Sequence, residues 1–431
     1  MKNILKNIIG CIIQAEARLI LKKYKPKIVA VTGSVGKTST KDAIYSVMSK
    51  SFYVRKSEKS FNSEIGVPLT ILGCQNAWTN PFKWLQNIYS GLTFILQKKS
   101  YPEWLVLEVG ADRPGDIQKL SSWIKPDVVV VTKFSKVPVH IEYFKSKEHV
   151  IAEKGYLVSA IKHDGTLILN SDDEDVFAFK DKVSNKILTY GLLGDSQIRA
   201  TNYSVYYNEE TLEPFGIYFK VEYAGNCLPV KIIGTLGYNN IYSSLAAIAV
   251  GLSLGLNLVE VTESLSQHVS PRGRMNLIKG INKSVIIDDT YNSSPVALVS
   301  ALETLKSIKT KGRRMAVLGD MMELGKHTAD AHHQAGIIAV TSCNFLVTVG
   351  LRSRMIAESA MNAGLSEKNI LQFNTSSEAG EYLIDVIEAN DVILVKGSQS
   401  TRMEKVVKAI MAEPAKASEL LVRQDEEWKK R

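Results

Sequence analysis

Cysteine is scarce in this chain: Cys11, Cys74, Cys227 and Cys343 are its four, far apart and never spaced as CxxC. That spacing argues against a disulfide framework or a cysteine zinc site and suits a reducing cytoplasm. Long apolar runs are lacking too. The longest in the N-terminal arm, Ile8 to Ile13, is too short to span a bilayer or to serve as a signal-peptide core. Acidic residues are almost absent from positions 1–27, where seven Lys/Arg face one Glu. A nucleic-acid surface would interleave such charge with stacking aromatics, and the arm offers only Tyr24, so no nucleic-acid partner is expected. There is no internal repeat and no low-complexity tract. What remains is ordinary globular composition, 45% hydrophobic and 23% charged over 431 residues, enough for two or three domains. A cytoplasmic monomer is expected.

The basic arm, residues 1–26, reads as an amphipathic helix. Asn3, Asn7, Gly10, Gln14 and Arg18 form a narrow polar stripe opposite Ile4, Leu5, Ile8, Ile12, Leu19 and Ile20. It is expected to pack on its own protein, with weak membrane-surface contact as the alternative.

From Lys27 strand-like and helix-like segments alternate. KIVAVTG, WLVLEVG, DVVVVT and GTLILN are continuous apolar strands separated by amphipathic helices, the pattern of a parallel sheet covered on both faces. Between about Lys186 and Ile233 shorter alternating runs, GIYFKVEY and CLPVKII, suggest an antiparallel appendage, closed by a helix pair. After Ser270-Pro271 four more strands, SVIIDDT, MAVLGD, NFLVTVG and DVILVKG, indicate a second α/β unit. The fold class is therefore α/β: a phosphate-loop domain with a mostly parallel sheet over 27–270, then a Rossmann-like domain over 271–431.

The stretch Thr32-Gly33-Ser34-Val35-Gly36-Lys37-Thr38 lies at a strand-to-helix turn, where backbone amides and a helix start cradle phosphate. Lys37 would neutralise β/γ-phosphates and Thr38 would reach a magnesium ion. The usual template places a glycine where this chain has Val31. Glu108 ends the strand WLVLEVG, at the sheet edge where ligands gather, and is a candidate metal ligand or base. His140 follows the next strand and is a candidate ligand; Lys154 falls in a helix-like segment that would by default face solvent.

Taken together, TGSVGKTSTK, FNSEIGVPLT, LEVGADRPGDI, PDVVVVT, VPVHIEYF and EKGYL resemble the ATPase domain of the Mur ligases. RGRM, IIDDTYNSSP, VLGDMMELG and LVKGSQSTRMEKVV resemble the branch of that family that adds D-alanyl-D-alanine. The resemblance runs in order from about Lys27 to Ile410 and explains the shortened loop, which is the family's form.

The resemblance implies an ATP-dependent ligase with two Mg²⁺ ions, whose small-molecule substrates are a nucleotide-sugar peptide and D-alanyl-D-alanine. Gly33, Ser34, Val35, Gly36, Lys37, Thr38 and Ser39 would hold the ATP phosphates. Thr38 and Glu108 would bind the first Mg²⁺ and His140 the second. Lys154 matches a lysine carried as a carbamate, so that Lys37, Lys154 and His140 form the catalytic group. Asn292 would contact adenine, Asp289 the ribose and Arg274 the phosphates. Asn240 is the one position kept from the family's GxHNxxN helix start, whose histidine is Asn239 and whose second asparagine is Ser243 here. Asn62 is a substrate candidate by the same match. Lys396 and Ser398, before the expected helix TRMEKVV, suit an incoming carboxylate, with Asp320 and Glu323 near its ammonium or orienting the loop.

Full-length family members carry an N-terminal domain for uridine diphosphate, and only 26 residues precede Lys27 here. Either another segment holds the donor or the donor differs, being non-UDP or lipid-linked. The aromatic-rich stretch Asn76 to Trp104 could fold with the basic arm to replace that domain. Two other classes stay open: another ATP-dependent amide ligase such as a folylpolyglutamate synthetase, and a non-catalytic ATP-binding scaffold.

Overall fold

The computed structural model describes residues 2–58, 61–78, 80–134, 143–194 and 196–429, with backbone alone for 2–7 and 429. A nine-stranded sheet contains β1 (Lys27–Thr32), β2 (Val54–Lys56), β3 (Trp104–Glu108), β4 (Val128–Val131), β5 (Thr166–Asn170), β6 (Lys186–Gly191), β7 (Ile198–Tyr207), β8 (Pro214–Tyr223) and β9 (Asn226–Ile233). Its order is β2-β3-β1-β4-β5-β6-β7-β8-β9. A six-stranded sheet contains β10 (Asn276–Lys279), β11 (Val285–Asp289), β12 (Arg314–Gly319), β13 (Phe345–Val349), β14 (Ile370–Phe373) and β15 (Val392–Lys396), in the order β10-β11-β15-β12-β13-β14.

The central strands are valine-, leucine- and isoleucine-rich and buried along their length, as two-sided coverage by helices requires. The expected antiparallel block starts later than its sequence suggests. β6 pairs parallel with β5, and β7 parallel with β6; only β7, β8 and β9 run antiparallel. These strands extend the main sheet and form no separate appendage. In the second sheet the short strands β10 and β14 join the four expected ones, β10 antiparallel on the edge. Their four residues apiece carry too little periodicity to stand out.

The helices that position the site are α1 (Lys2–Tyr24), α2 (Lys37–Met48), α3 (Gly66–Leu72), α4 (Pro81–Leu96), α5 (Asp116–Ser121), α6 (Lys147–Ser159), α7 (Glu174–Phe177), α8 (Tyr238–Ser253), α9 (Leu258–Ser266) and α10 (Pro295–Ser307). α4 is started by Asn80, whose side chain accepts from the Phe82 and Lys83 amides, with Pro81 in the first helical position. α9 opens with a reciprocal cap between Asn257 and Glu260.

The basic arm does fold as a helix packed on its own protein, but only part of the expected apolar face, Ile20, is buried. Ile13, Glu16, Ala17 and Ile20 are buried, whereas Ile8, Ile12 and Leu19 are exposed. α1 lies along α4: Lys23 Nζ donates to the carbonyls of Phe94, Ile95 and Gln97, and Tyr24 Oη to those of Phe94 and Gln97. The arm and the aromatic stretch thus form one helical layer over the β3 side of the first sheet. Among the described residues no helix is long and apolar enough to cross a membrane.

One apolar core runs from β1 and α2 through α8 to α10, β11 and β12, so the two sheets share a continuous interior. An isolated bridge between Thr235 and Asn276 ties them at the chain crossover.

Candidate active site

The chain leaves β1 at Thr32 and turns through Gly33 and Gly36, both with positive φ (140° and 84°), before α2 begins at Lys37. Glycine is demanded at 33 because a Cβ there would lie 2.0 Å from Thr132 Oγ1. The Ser34 and Val35 amides donate to the Lys133 carbonyl (2.7 and 3.3 Å), and the Thr132 hydroxyl donates to the Val35 carbonyl (2.7 Å). The loop is therefore pinned to β4. Lys37 folds back over it, its Nζ donating to the Gly33 carbonyl (3.0 Å). Burial holds this amine below the ordinary lysine range, with Glu108 opposing the effect.

Parallel pairing of β1 with β3 sets Val31 beside Glu108 and so brings the strand-end carboxylate to the loop. Glu108 is 1% exposed. Thr38 Oγ1 donates to its Oε2 (2.9 Å) and Asn62 Nδ2 to its Oε1 (3.1 Å), while the Glu108 amide donates to Ser57 Oγ. Thr38 and Glu108 thus offer clustered hard oxygens, the donor type magnesium takes. Lys154, from α6, is not solvent-facing but 4% exposed, and burial followed by the charge of Lys37 lowers its pKa to about 7. Its neighbour Glu153 accepts from the Gly115, Ile117 and Gln118 amides and so holds the start of α5. His140 lies outside the described residues.

The second sheet supplies the opposite wall. Arg274 reaches back to Thr38, its Nη2 donating to Oγ1 (3.4 Å), with its guanidinium 4.1 Å from the Tyr291 ring centroid. β11 and β15 pair in register at Asp289 and Lys396, and Lys396 Nζ donates to Asp289 Oδ2 (2.6 Å) and the Asn292 carbonyl (2.9 Å). The residues expected to meet ribose and substrate therefore meet each other. Ser398 Oγ accepts from the Met322 amide, and Asp320 Oδ1 accepts from the Ser353 amide, a bond that ties its loop to the segment after β13. The helix expected straight after Ser398 begins only at Glu404, after a 3₁₀ turn and the left-handed Arg402. Asn240 spends its amide on Thr235 Oγ1 and the Leu236 carbonyl, and the substituted Ser243 accepts from Thr40 on α2.

One cavity of about 800 Å³ is walled by Gly33–Ser39, Asn62, Glu108 and Lys154 on one side and by Asn240, Arg274, Asp289, Asn292, Glu323, Lys396 and Ser398 on the other; Asp320 and Ser243 do not line it. Two buried polar atoms bordering it, Ser34 Oγ and Arg274 Nε, have no partner among the described residues. Orphaned donors, one in the phosphate loop and one on the facing wall, fit an anionic phosphate. A second cavity of about 1390 Å³ adjoins the first through Thr38, Arg274, Tyr291, Gln399 and Trp428, and extends to Phe61, Trp78 and Trp84 beside α4. The sequence reading missed Tyr291 and Asp112, which sat inside quoted motifs, and Trp428, which carried no signal.

A phosphate-loop sheet facing a second α/β sheet across an anion-binding cavity defines a nucleotide-dependent two-lobed enzyme. The chain matches the family model "Mur ligase middle domain" over residues 31–82 and 86–251, and "Mur ligase, glutamate ligase domain" over 273–399. It belongs to the Mur ligase family. A UDP-N-acetylmuramoyl-tripeptide–D-alanyl-D-alanine ligase of Bacillus subtilis is 28% identical over 405 residues, 93% of this chain and 79% of the relative. The ligase of the same name from Escherichia coli is 26% identical, covering 91% and 79%. In fold the chain is similar to a MurF ligase of Thermotoga maritima solved with ADP (TM-score 0.75, 24% identity, 93% and 83% covered). It is also similar in fold to a folylpolyglutamate synthase of Mycobacterium tuberculosis (TM-score 0.63, 13% identity, 90% and 93% covered).

Proposed function

We propose that this protein is an ATP-dependent amide ligase that joins D-alanyl-D-alanine to the peptide carboxylate of a UDP-N-acetylmuramoyl-tripeptide in peptidoglycan precursor synthesis. The observation that carries the reading is the single cavity in which Lys37, Thr38, Glu108 and Lys154 face Arg274, Lys396 and Ser398. The similarity to ligases of that name, over 93% of this chain and 79% of the relative, supports it.

The donor carboxylate attacks the γ-phosphorus of ATP; the bond to the β-phosphate oxygen breaks, leaving ADP and an acyl phosphate. The dipeptide amine then attacks the acyl carbon, loses a proton, and the tetrahedral intermediate expels inorganic phosphate. Loop amides and Lys37 bind the phosphates, and Arg274, anchored on Tyr291 and Thr38, brings the second lobe's charge to the same anion. Magnesium, held by Thr38 and Glu108 with His140 and a carbamylated Lys154 for a second ion, would supply further positive charge against the triphosphate. Lys396, already neutralised by Asp289, orients the lobe more than it adds charge.

The acyl donor is assigned to the second cavity. Its lining carries Lys41, Lys56, Arg272, Arg274 and Arg423 against Asp42 and Asp425, together with the aromatic rings of Phe61, Trp78 and Trp84. That combination of net positive charge and apolar surface fits an anionic donor with a bulky body. The arm and α4 then do part of the work of a donor-binding domain.

Phosphate release is to be measured with ATP, Mg²⁺, UDP-N-acetylmuramoyl-tripeptide and D-alanyl-D-alanine, omitting each in turn. Release that needs both substrates, with a product heavier by the dipeptide, is expected. Turnover only with a lipid-linked or truncated donor would replace the donor assignment. ATP binding with no amine-dependent ADP formation would sink the catalytic reading.

A further inference from the structure

α4 is apolar on two sides. Its inner side, Trp84, Ile88, Gly91 and Ile95, packs into the layer with α1 and α3. Its outer side is a second apolar stripe at helical spacing: Phe82 (79% exposed), Leu85 (63%), Tyr89 (70%), Leu92 (43%) and Leu96 (80%). A second apolar stripe beside the packed one calls for a non-aqueous neighbour of its own, and among the described residues nothing covers it.

The charges around this stripe say what kind of neighbour fits. No charged residue occurs from Trp84 to Gln97; Lys83 stands at one end and Lys98 and Lys99 at the other, all exposed. On α1 the exposed residues Ile8, Ile12 and Leu19 run toward Lys22 and Lys25 at its C-terminal end. The Lys23 bonds to the last carbonyls of α4 bring those two basic ends together. The only acid in α1, α4 and their flanks over 75–102 is Glu16, and it is buried against Gly91 with both carboxylate oxygens unpartnered among the described residues. Burial pushes this carboxyl up to about 7, so at neutral pH it carries about half a negative charge, held inside the layer and away from its surface.

From this arrangement we infer that α1 and α4 together form a monotopic docking face for an anionic lipid surface, the apolar stripes entering the acyl boundary and the lysines meeting the headgroups. A second copy of the chain fits poorly, because pairing this face with itself would stack lysine on lysine with no exposed acid to compensate. Long lysine side chains at the ends of an apolar stripe reach anionic headgroups without withdrawing the stripe.

The test uses the full chain and sedimentation with phosphatidylcholine vesicles, with or without phosphatidylglycerol. Binding to the phosphatidylglycerol vesicles is expected, weakened by high salt. Leu85→Glu/Leu92→Glu should lower the partition by more than about tenfold, since two leucines leave the acyl region. Its thermal unfolding should stay near that of the parent, because both side chains face outward. Lys83→Glu/Lys98→Glu is the independent arm and should remove the preference for phosphatidylglycerol. Failure of the parent to bind, or equal binding by the Leu85/Leu92 variant, overturns the inference. A dimer in analytical ultracentrifugation that this variant dissolves, without vesicle binding by the parent, overturns it in favour of self-association.

Discussion

Alanine at position 33 would carry its methyl group to 2.0 Å from the Thr132 hydroxyl oxygen and 3.2 Å from the Lys133 amide nitrogen. The backbone there has φ of 140°, a region closed to side-chain-bearing residues, so holding it costs about 1–3 kcal/mol before any clash. Thr132 would have to swing away and release its bonds to the Thr32 and Val35 carbonyls, each about 1 kcal/mol. The native loop is thus disfavoured by roughly 3–5 kcal/mol, and the chain escapes by displacing the loop. A nucleotide that binds only the native loop must draw it back, which weakens ATP affinity by about 100-fold or more. Gly36→Ala provides the contrast. Its φ is 84°, but the nearest atoms to a new Cβ are 3.9 and 4.0 Å away, so only left-handed strain of about 1–2 kcal/mol applies, roughly a tenfold loss. Calorimetric titration with Mg-ATP, alongside thermal unfolding, measures both. Gly33→Ala/Thr132→Ala should regain part of the affinity, since the nearest atom is removed. ATP binding by Gly33→Ala within about threefold of the parent, or a larger loss in Gly36→Ala, would refute the packing of loop against β4.

Three further outcomes follow from buried charge. With a pKa of about 7, Lys154 is about half neutral at pH 7, whereas an ordinary lysine is under about 0.1% neutral. Only a neutral amine takes up CO₂, so ligase activity should fall in CO₂-depleted buffer and recover with bicarbonate, and Lys154→Arg should be inactive in both; a CO₂-independent rate rules out the carbamate. Lys396→Met strands the Asp289 carboxylate and should cost about 3–5 kcal/mol in denaturant unfolding, with Asp289→Asn in the same chain restoring part of it. No restoration would mean the pair is not the source of the loss. Burial pushes His268, whose Nδ1 lies 2.9 Å from Ser46 Oγ, down to about 4. The unfolded chain therefore binds the extra proton first, and stability is lost as pH falls from about 6.5 toward 4, by up to about 3 kcal/mol. His268→Gln should flatten that part of the stability–pH curve; an unchanged slope refutes the assignment.

The phosphate loop was legible because its parts are adjacent in the chain: strand, two glycines, Lys37, Thr38 and helix follow without interruption, and local sterics fix them. The central strands were legible for a similar reason, since burial on both faces leaves a continuous apolar run. Glu108 was readable as a strand-end carboxylate. Its meeting with Thr38 depends on β3 lying next to β1, a choice made by the whole sheet. Asp289 and Lys396 were each recognisable, yet their pairing across 107 positions is set by the β11–β15 register, and it changes what both can do. The burial of Lys154 was invisible in the residue pattern, because a lysine on a helix reads as solvent-facing until its neighbours are known; only the family resemblance put it in the site.

For α1 the periodicity misled, since a helix with more than one apolar stripe does not say which stripe will pack. Packing on α3 and α4 took Ile13, Glu16 and Ile20 and left Ile8, Ile12 and Leu19 outside. The sequence by itself determined the α/β alternation, the loop and the kinds of side chain available for chemistry, all matters of local sterics and hydrophobic period. Which of those side chains face one another, which charges are cancelled, and which apolar face stays open were decided only by strand order and helix packing, because those distances are set by contacts between residues far apart in the chain.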